Sequence, residues 1–393
     1  MKIGIFGGTF DPPHKGHINS AVTAAQVLKL DRLIVIPNAI PPHKTQAAGG
    51  ASADDRLNMT RAAFDGVPNV EVSDIELNRG GKSYTVDTVA DIKKLHPDAE
   101  IYLLMGTDMF VTLREWHEAE KLLTLIRPAV FTRKPDEERT VAQYAEALLR
   151  DCGIQSEVIR NDIVEISSTE LRQGLSERRG REYLEERVYA YIIRRRLYGA
   201  RPDFVWLREQ AYSMLKPKRV PHVQGCEEEA ARLALRWGAD VEKAREAGIL
   251  HDITKKLTLE EQLLLCEEYG IMNDTVEGSE SKLLHAKTGA AVARARFGMP
   301  DDVCSAIRWH TTGRAGMTLL EKLIYLADYI EPTRDFEGLD TLRRLCYEDI
   351  DSALLLGLEM SITDMEQGGI TPHIKTREAI DYLRQRSGRE IDT

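Results

Sequence analysis

The feature that most narrows the fold is a change of rhythm near Gly199: before it, short β-rich runs alternate with helical stretches, and after it the strand signal fades. The runs that predict strands are Lys2 to Phe6, Arg32 to Ile36, Val70 to Leu77, Ile101 to Gly106, Ala129 to Thr132 and Ile154 to Ile159. Between them, Ile18 to Lys29, Arg56 to Phe64, Tyr84 to Leu95, Glu118 to Leu125 and Val141 to Leu149 carry helical composition and apolar spacing. A βαβα order predicts a mostly parallel sheet covered by helices. The ligand of such a sheet belongs beyond the carboxyl ends of its strands, where the first β-to-α loop lies.

A helix is expected around Glu182 to Leu197, with Arg194 to Arg196 near its end, where cations suit the helix dipole. Gly199 and Pro202 then stop it. Further on, Phe204 to Leu215, Glu227 to Trp237, Val241 to Ile249, Leu259 to Tyr269, Leu283 to Phe297, Asp301 to Arg308, Leu319 to Ile330 and Tyr347 to Met360 all read as helix. The expectation is therefore an α/β domain over 1–199 and an all-α domain over 200–393, joined by a short connector. A chain of 393 residues also exceeds what one hydrophobic core serves.

With 42% hydrophobic and 30% charged residues and a net charge of -10, the chain reads as globular, with no bulk basic signal for nucleic acid. No stretch approaches the roughly 20 apolar residues needed to cross a bilayer. It opens directly on the apolar run Ile3 to Phe6, so a cytoplasmic location and no membrane partner are expected. Cys152, Cys226, Cys266, Cys304 and Cys346 are widely spaced and form no C-x-x-C pair, which points to reduced thiols. Any helix face could meet a second copy, so homo-oligomerisation stays open.

The richest local signal is Gly7-Gly8-Thr9-Phe10-Asp11-Pro12-Pro13-His14-Lys15-Gly16-His17, between the first strand and the first helix. Glycines let backbone approach phosphate closely, and the following helix N-terminus offers free N–H groups and positive potential. His14 and His17 are three apart, so both imidazoles can face the loop and donate to phosphate oxygens. The string is neither G-x-G-x-x-G nor a G-x-x-x-x-G-K-S/T loop. It resembles the H-x-G-H signature of nucleotidyltransferases, and Ile166-Ser167-Ser168-Thr169-Glu170-Leu171-Arg172 resembles their I-S-S-T-x-[LI]-R signature. The hydroxyls of Ser167, Ser168 and Thr169 can cap a helix and meet phosphate there, while Arg172 can neutralise departing pyrophosphate.

Within that superfamily, residues 1 to about 198 resemble nicotinate mononucleotide adenylyltransferases. The resemblance is carried by Pro37 through Pro41-Pro42-His43-Lys44, Ser83-Tyr84-Thr85-Val86-Asp87-Thr88, and Gly106-Thr107-Asp108 followed by Trp116. It implies a Rossmann-like domain with Lys44 near phosphate, Thr85 and Trp116 around the nicotinate ring, and Asp108 near adenosine. The implied reaction joins ATP and nicotinate mononucleotide into nicotinate adenine dinucleotide, with His14, His17, Lys44 and Arg172 acting electrostatically and Mg²⁺ on the triphosphate. Pantetheine-phosphate adenylyltransferase shares the general motifs, but leaves the Tyr84-Thr85 and Trp116 segments without a purpose.

The second half contains a dispersed set, His222, His251-Asp252, His285, His310 and Asp328, whose spacing suits ligands gathered from several helices. The ordered set resembles HD-domain phosphohydrolases. His222-Val223-Gln224-Gly225, His251-Asp252-Ile253-Thr254-Lys255, Leu284-His285-Ala286, Arg308-Trp309-His310-Thr311-Thr312-Gly313-Arg314 and Ala327-Asp328-Tyr329-Ile330-Glu331-Pro332 resemble, more narrowly, symmetrical diadenosine tetraphosphatases of the HD type. That resemblance implies one metal on His222, His251, Asp252 and Asp328, a second completed by His285 and His310, and Asp252 bridging. It also implies dinuclear iron, although the ligand types alone suit iron, manganese, zinc or nickel. Lys255 and Arg314 are candidate phosphate clamps. Other nucleotide specificities remain open for this half, as does a regulatory HD module that binds a nucleotide without hydrolysing it.

Overall fold

The computed structural model describes residues 1–39, 49–132, 135–161, 166–272 and 281–389. It divides into two compact units, Met1–Arg201 and Pro202–Thr393. Among the described residues no helix is long and apolar enough to cross a membrane. All five cysteines are free, and only Cys152 is exposed.

The first unit is built on six strands: β1 (Lys2–Gly8), β2 (Arg32–Pro37), β3 (Val70–Val72), β4 (Glu100–Gly106), β5 (Arg127–Thr132) and β6 (Glu157–Arg160). They form one sheet in the order β3-β2-β1-β4-β5-β6, with every neighbouring pair parallel. This is the Rossmann-like layout the alternation predicts. Helices cover the sheet, so β1 is buried on both faces from Ile3 to Phe6 and reads as an unbroken apolar run. On one face Ile3, Ile5, Ile34, Ile101 and Leu103 share a core with Val86, Val89 and Ile92 of the helix Thr85–Leu95. The chain order reverses between β1 and β4, which lie side by side with Phe6 opposite Leu104. In sheets of this topology the ligand crevice belongs at the carboxyl ends of these two strands, where the loop after Gly8 and the turn after Gly106 lie.

Several boundaries differ from expectation for local reasons. The strand predicted over Val70 to Leu77 stops at Val72, because Ser73 and Asp74 turn the chain into a short helix, Ile75–Arg79. There the Ser73 hydroxyl accepts from the Ile75 amide at 3.3 Å and the Asp74 carbonyl from the Asn78 amide at 2.9 Å. The helix expected from Glu182 begins at Glu186, since Leu184 is extended and buried.

The second unit is helical. Val220–Trp237 starts earlier than predicted, with Pro221 in its first turn, where a missing N–H costs nothing. The helix expected over Tyr347 to Met360 is two helices, Leu339–Glu348 and Ile350–Gln367, because Asp349 adopts an extended conformation and caps the second with its side chain. A last helix, Ile374–Arg389, has no counterpart in the expectation. Close backbone approach sets the centre of this unit: a Cβ on Gly248 would come within 2.8 Å of the Glu227 Cα, so Val241–Leu250 lies directly against Val220–Trp237.

Candidate functional site

The loop after β1 is held from below by a side chain that motif reading passed over. Arg56, 1% exposed, donates through Nη1 to the Thr9 carbonyl at 2.9 Å and to Asn38 Oδ1 at 3.2 Å. Its Nη2 reaches the Ala39 carbonyl at 3.0 Å, so one planar fork ties the β1 loop to the end of β2. Burial lowers its pKa, with Asp11 and Tyr198 opposing that shift. Phe10 is folded inward, and a Cβ on Gly8 would meet its ring at 2.9 Å. That ring stands edge-on to His17, with centroids 5.1 Å apart.

His14 caps the helix Lys15–Leu28, and its amide donates to His17 Nδ1 at 3.2 Å. The two imidazoles lie 3.8 Å apart between centroids, as their spacing predicts. The second motif is brought to the same place from the far end of the unit. Ser167 caps Ser168–Ser176 by accepting from the Glu170 amide at 3.1 Å, and Glu170 accepts from the Ser167 amide at 3.0 Å. Ser168 Oγ lies 3.4 Å from the Pro12 carbonyl, and Arg172 Nη1 donates to the Asp11 carbonyl at 2.7 Å. Arg172 Nη2 reaches Thr169 Oγ1 at 3.2 Å. Two helix N-termini, two imidazoles and a guanidinium thus converge on the stretch from Asp11 to His17, a combination suited to phosphate.

The remaining predicted residues occupy the neighbouring loops. Thr85 opens the helix Thr85–Leu95, next to Ser83, whose hydroxyl accepts from the Ala39 amide at 3.0 Å. Trp116 is half-buried against the apolar core, as is Tyr84, whose ring lies tilted by 34° against His117 with centroids 4.2 Å apart. Asp108 is exposed in the short helix after β4, and a Cβ on Gly106 would come within 3.0 Å of its Oδ1. Lys44 lies outside the described residues.

In the second unit the dispersed set collapses into one buried cluster. His222 Nε2 is 3.2 Å from His251 Nε2 and 2.9 Å from Asp328 Oδ1. His285 Nε2 is 3.2 Å from His310 Nε2. Asp252 stands between the pairs: its Oδ2 lies 3.4 Å from His251 and 3.8 Å from His222, its Oδ1 3.2 Å from His285 and 3.6 Å from His310. His222, His251 and Asp328 form one group with metal-ligand spacing, and His251, Asp252 and His310 another.

The outer nitrogens fix which protons these rings carry. His251 and His310 each follow the last turn of a helix, and each Nδ1 faces a carbonyl within it, Gly248 at 2.8 Å and Ile307 at 2.6 Å. His222 Nδ1 faces Glu331 Oε1 at 2.9 Å. Carbonyls and carboxylates only accept, so these Nδ1 atoms donate and each Nε2 is left facing inward, the atom a cation would use. Gly225 makes the Glu331 contact possible, since a Cβ there would sit 2.6 Å from Glu331 Oε2. Burial pushes His285 down to about 4, which keeps it neutral at pH 7. Converging lone pairs and ionised carboxylates repel one another, and a cation resolves the conflict. The donor set therefore fits a metal centre, with His251 common to the two groups.

Cations surround these acids. Arg219 Nε donates to Asp252 Oδ2 at 2.6 Å, Lys255 to Asp252 Oδ1 at 3.1 Å, and Arg334 to Asp328 Oδ1 at 2.8 Å. Of the two predicted clamps, Lys255 is therefore at the cluster. Arg314 is engaged by the fully buried Glu321 at 3.0 Å. Arg219, Glu331 and Arg334 were not foreseen; the one available hint was Glu331 following Asp328 by three residues at a helix end.

One unit thus has the fold and phosphate-facing loops of a nucleotidyltransferase, the other the ligand cluster of an HD-type metal-dependent hydrolase. Comparison with known proteins agrees: residues 5–174 match the Cytidylyltransferase-like family model and residues 219–333 the HD domain model. A probable nicotinate-nucleotide adenylyltransferase of Gemmatimonas aurantiaca is 41% identical over 204 residues, covering 51% of this chain and 94% of that protein. A probable nicotinate-nucleotide adenylyltransferase/Ap4A hydrolase of Mycoplasma pneumoniae is 30% identical over 364 residues, 90% of this chain and 97% of that protein. Among solved structures, a predicted HD superfamily hydrolase involved in NAD metabolism from Clostridium acetobutylicum has 39% identity and a TM-score of 0.46, covering 47% of this chain and 98% of its own. The chain belongs to the family in which a nicotinate-nucleotide adenylyltransferase is fused to an HD-domain hydrolase. It is an enzyme with two activities, mononucleotide adenylyl transfer and metal-dependent hydrolysis.

Proposed function

We propose that the first unit adenylylates nicotinate mononucleotide and that the second splits diadenosine tetraphosphate symmetrically into two ADP. In the transferase a phosphate oxygen of nicotinate mononucleotide attacks the α-phosphorus of ATP, the bond to the bridging oxygen breaks, and pyrophosphate leaves; Mg²⁺ on the triphosphate would neutralise part of its charge. This chemistry needs alignment and charge neutralisation more than a protein nucleophile. His14, His17 and the helix N-terminus behind them bind the triphosphate, with Lys44 assigned beside them. Arg172 meets the leaving pyrophosphate, with the hydroxyls of Ser167, Ser168 and Thr169 at the neighbouring cap. Trp116 and Thr85 receive the pyridine ring, Asp108 and Gly106 the adenosine side. The observation that carries this reading is the convergence of Arg172 and Ser168 on Asp11 and Pro12, which makes one phosphate pocket of two distant motifs.

In the hydrolase His222, His251, Asp252 and Asp328 hold one ion and His285 and His310, with Asp252, the other; iron is the family-based choice. When bound, such ions activate water and polarise phosphate oxygens. The chain's own contribution is to orient the imidazoles through Glu331, Gly248 and Ile307 and to bring Lys255 and Arg219 to the polyphosphate. Water adds to a phosphorus of the central pair, the central P–O–P bridge breaks, and two ADP depart. The shared Asp252 carries this reading.

The test uses the full chain after metal analysis. Nicotinate mononucleotide, nicotinamide mononucleotide and phosphopantetheine are compared as acceptors with ATP, and diadenosine tetraphosphate, cyclic nucleotides and nucleoside monophosphates as substrates for cleavage. Preference for phosphopantetheine overturns the first assignment. Failure to release ADP with both metal positions filled overturns the second and favours a non-hydrolytic nucleotide-binding module.

A further inference from the structure

The last turn of the first unit, Leu197–Gly199, is bent in a way that side chains resist. Arg196 (φ 52°, ψ 34°) and Tyr198 (φ 58°, ψ 18°) both adopt the left-handed conformation, although neither is glycine. Side chains rarely adopt this conformation, and it persists where surrounding contacts over-determine it. The bend places one phenol. Tyr198 Oη donates to Asp11 Oδ1 at 2.7 Å, and the Ala51 amide donates to the same oxygen at 3.0 Å. Asp11 is 6% exposed and lies inside the nucleotide loop, and burial pushes the phenol far above its usual range, so it remains a donor.

The same aspartate sits beside Arg172. Arg172 Nη1 donates to the Asp11 backbone carbonyl at 2.7 Å, while the Asp11 Oδ2 atom is 3.8 Å away. The guanidinium thus faces two acceptors on one residue, a neutral carbonyl that it hydrogen-bonds and a carboxylate with which it forms an ion pair too long for a hydrogen bond. A buried carboxylate stripped of a donor is driven toward the nearest cation. Closure would spend the Arg172 charge inside the protein instead of on a phosphate.

We propose that Tyr198 is a positioning residue for adenylyl transfer: by anchoring Asp11 Oδ1, its hydroxyl keeps the carboxylate from capturing Arg172 and leaves that charge for pyrophosphate. This rests on the reading of Arg172 as the pyrophosphate-side cation. The arrangement joins three distant points of the chain, so neither motif alone reveals it.

The experiment measures Tyr198→Phe, Asp11→Asn, the double variant and Arg172→Ala as full-length proteins, in the forward reaction and in the reverse reaction from dinucleotide and pyrophosphate. Far-UV circular dichroism and thermal midpoints are recorded beside the kinetics. Tyr198→Phe should raise the KM for pyrophosphate and lower forward kcat, by up to about 100-fold, the scale of a roughly 1 Å misplacement of a catalytic group, while the KM for the dinucleotide moves little. In the Asp11→Asn background, where no charged carboxylate can capture Arg172, the same Tyr→Phe change should lose most of its effect. A purely structural tyrosine would lower the thermal midpoint and give the same kinetic loss in both backgrounds, and that result overturns the proposal. So does an unchanged pyrophosphate KM in Tyr198→Phe when Arg172→Ala is impaired. If Arg172→Ala is itself normal, the reading of Arg172 fails first, and the positioning role falls with it.

Discussion

Replacing Arg56 with methionine removes one guanidinium and leaves three acceptors facing a void: the Thr9 carbonyl at 2.9 Å, Asn38 Oδ1 at 3.2 Å and the Ala39 carbonyl at 3.0 Å. Each orphaned buried acceptor costs about 1–3 kcal/mol. The side chain is 1% exposed, so water does not restore those bonds in place. Methionine recovers much of the aliphatic packing, and the loop relaxes outward. With part of that cost relieved by the relaxation, a net loss of about 3–5 kcal/mol follows from the three acceptors together. For a unit of roughly 200 residues, where 1 kcal/mol moves the midpoint by about 2–4 °C, the transferase should lose its activity some 6–20 °C lower than the parent. Arg56→Lys keeps the charge without the fork and should fall between the two. The assay is residual adenylyl transfer after brief heating of the full chain, read beside hydrogen exchange at Thr9, Ala39 and the first strand. A methionine variant within about 2 °C of the parent would refute the argument. A lysine variant equal to the parent would show that charge, and not the three-way fork, does the holding.

Asp252→Ala removes the carboxylate whose two oxygens face both histidine pairs; metal content and diadenosine tetraphosphate cleavage should fall by at least about 100-fold, beyond the usual loss for an outer-shell partner, while adenylyl transfer persists. Normal ADP release from a verified variant would contradict the assignment, and loss of both activities in a folded protein would contradict independent sites. Trp116→Ala should raise the KM for nicotinate mononucleotide by about 3- to 10-fold, the scale of an aromatic contact, with little change for ATP; equal losses for both substrates point instead to a collapsed loop. Acid stability should depend on Asp55. Burial alone would raise its carboxyl, but bonds from Ser52, Tyr191 and Arg195 hold it below its ordinary 3.8. A depressed folded-state pKa contributes stability above the ordinary value that is lost as pH falls through the lowered one, so Asp55→Asn should flatten the decline in urea midpoint below about pH 4. A decline as steep as the parent's removes Asp55 from the account.

What the sequence determined by itself is whatever repeats or clusters locally. Parallel strands buried on both faces must be continuous apolar runs, so Ile3 to Phe6 and Ile101 to Met105 announce β1 and β4, and the glycines and histidines between Gly7 and His17 announce what stands at their ends. The six metal-ligand candidates were equally legible as residue types, because few side chains bind cations. Tertiary structure decided which of these groups share an atom and which residues support them. Asp252 is central because its two oxygens face opposite histidine pairs, a matter of side-chain direction and helix packing. Arg56, Tyr198 and Arg219 carry no local signature: an arginine in a helix or a tyrosine in a turn reads as surface until the fold buries it against its partners. Their meaning lies in contacts such as the one between Tyr198 and Asp11, separated by 187 residues. Local periodicity is a property of the backbone and can be read along the chain, whereas a buried polar contact exists only once its water has been removed, and folding alone removes it.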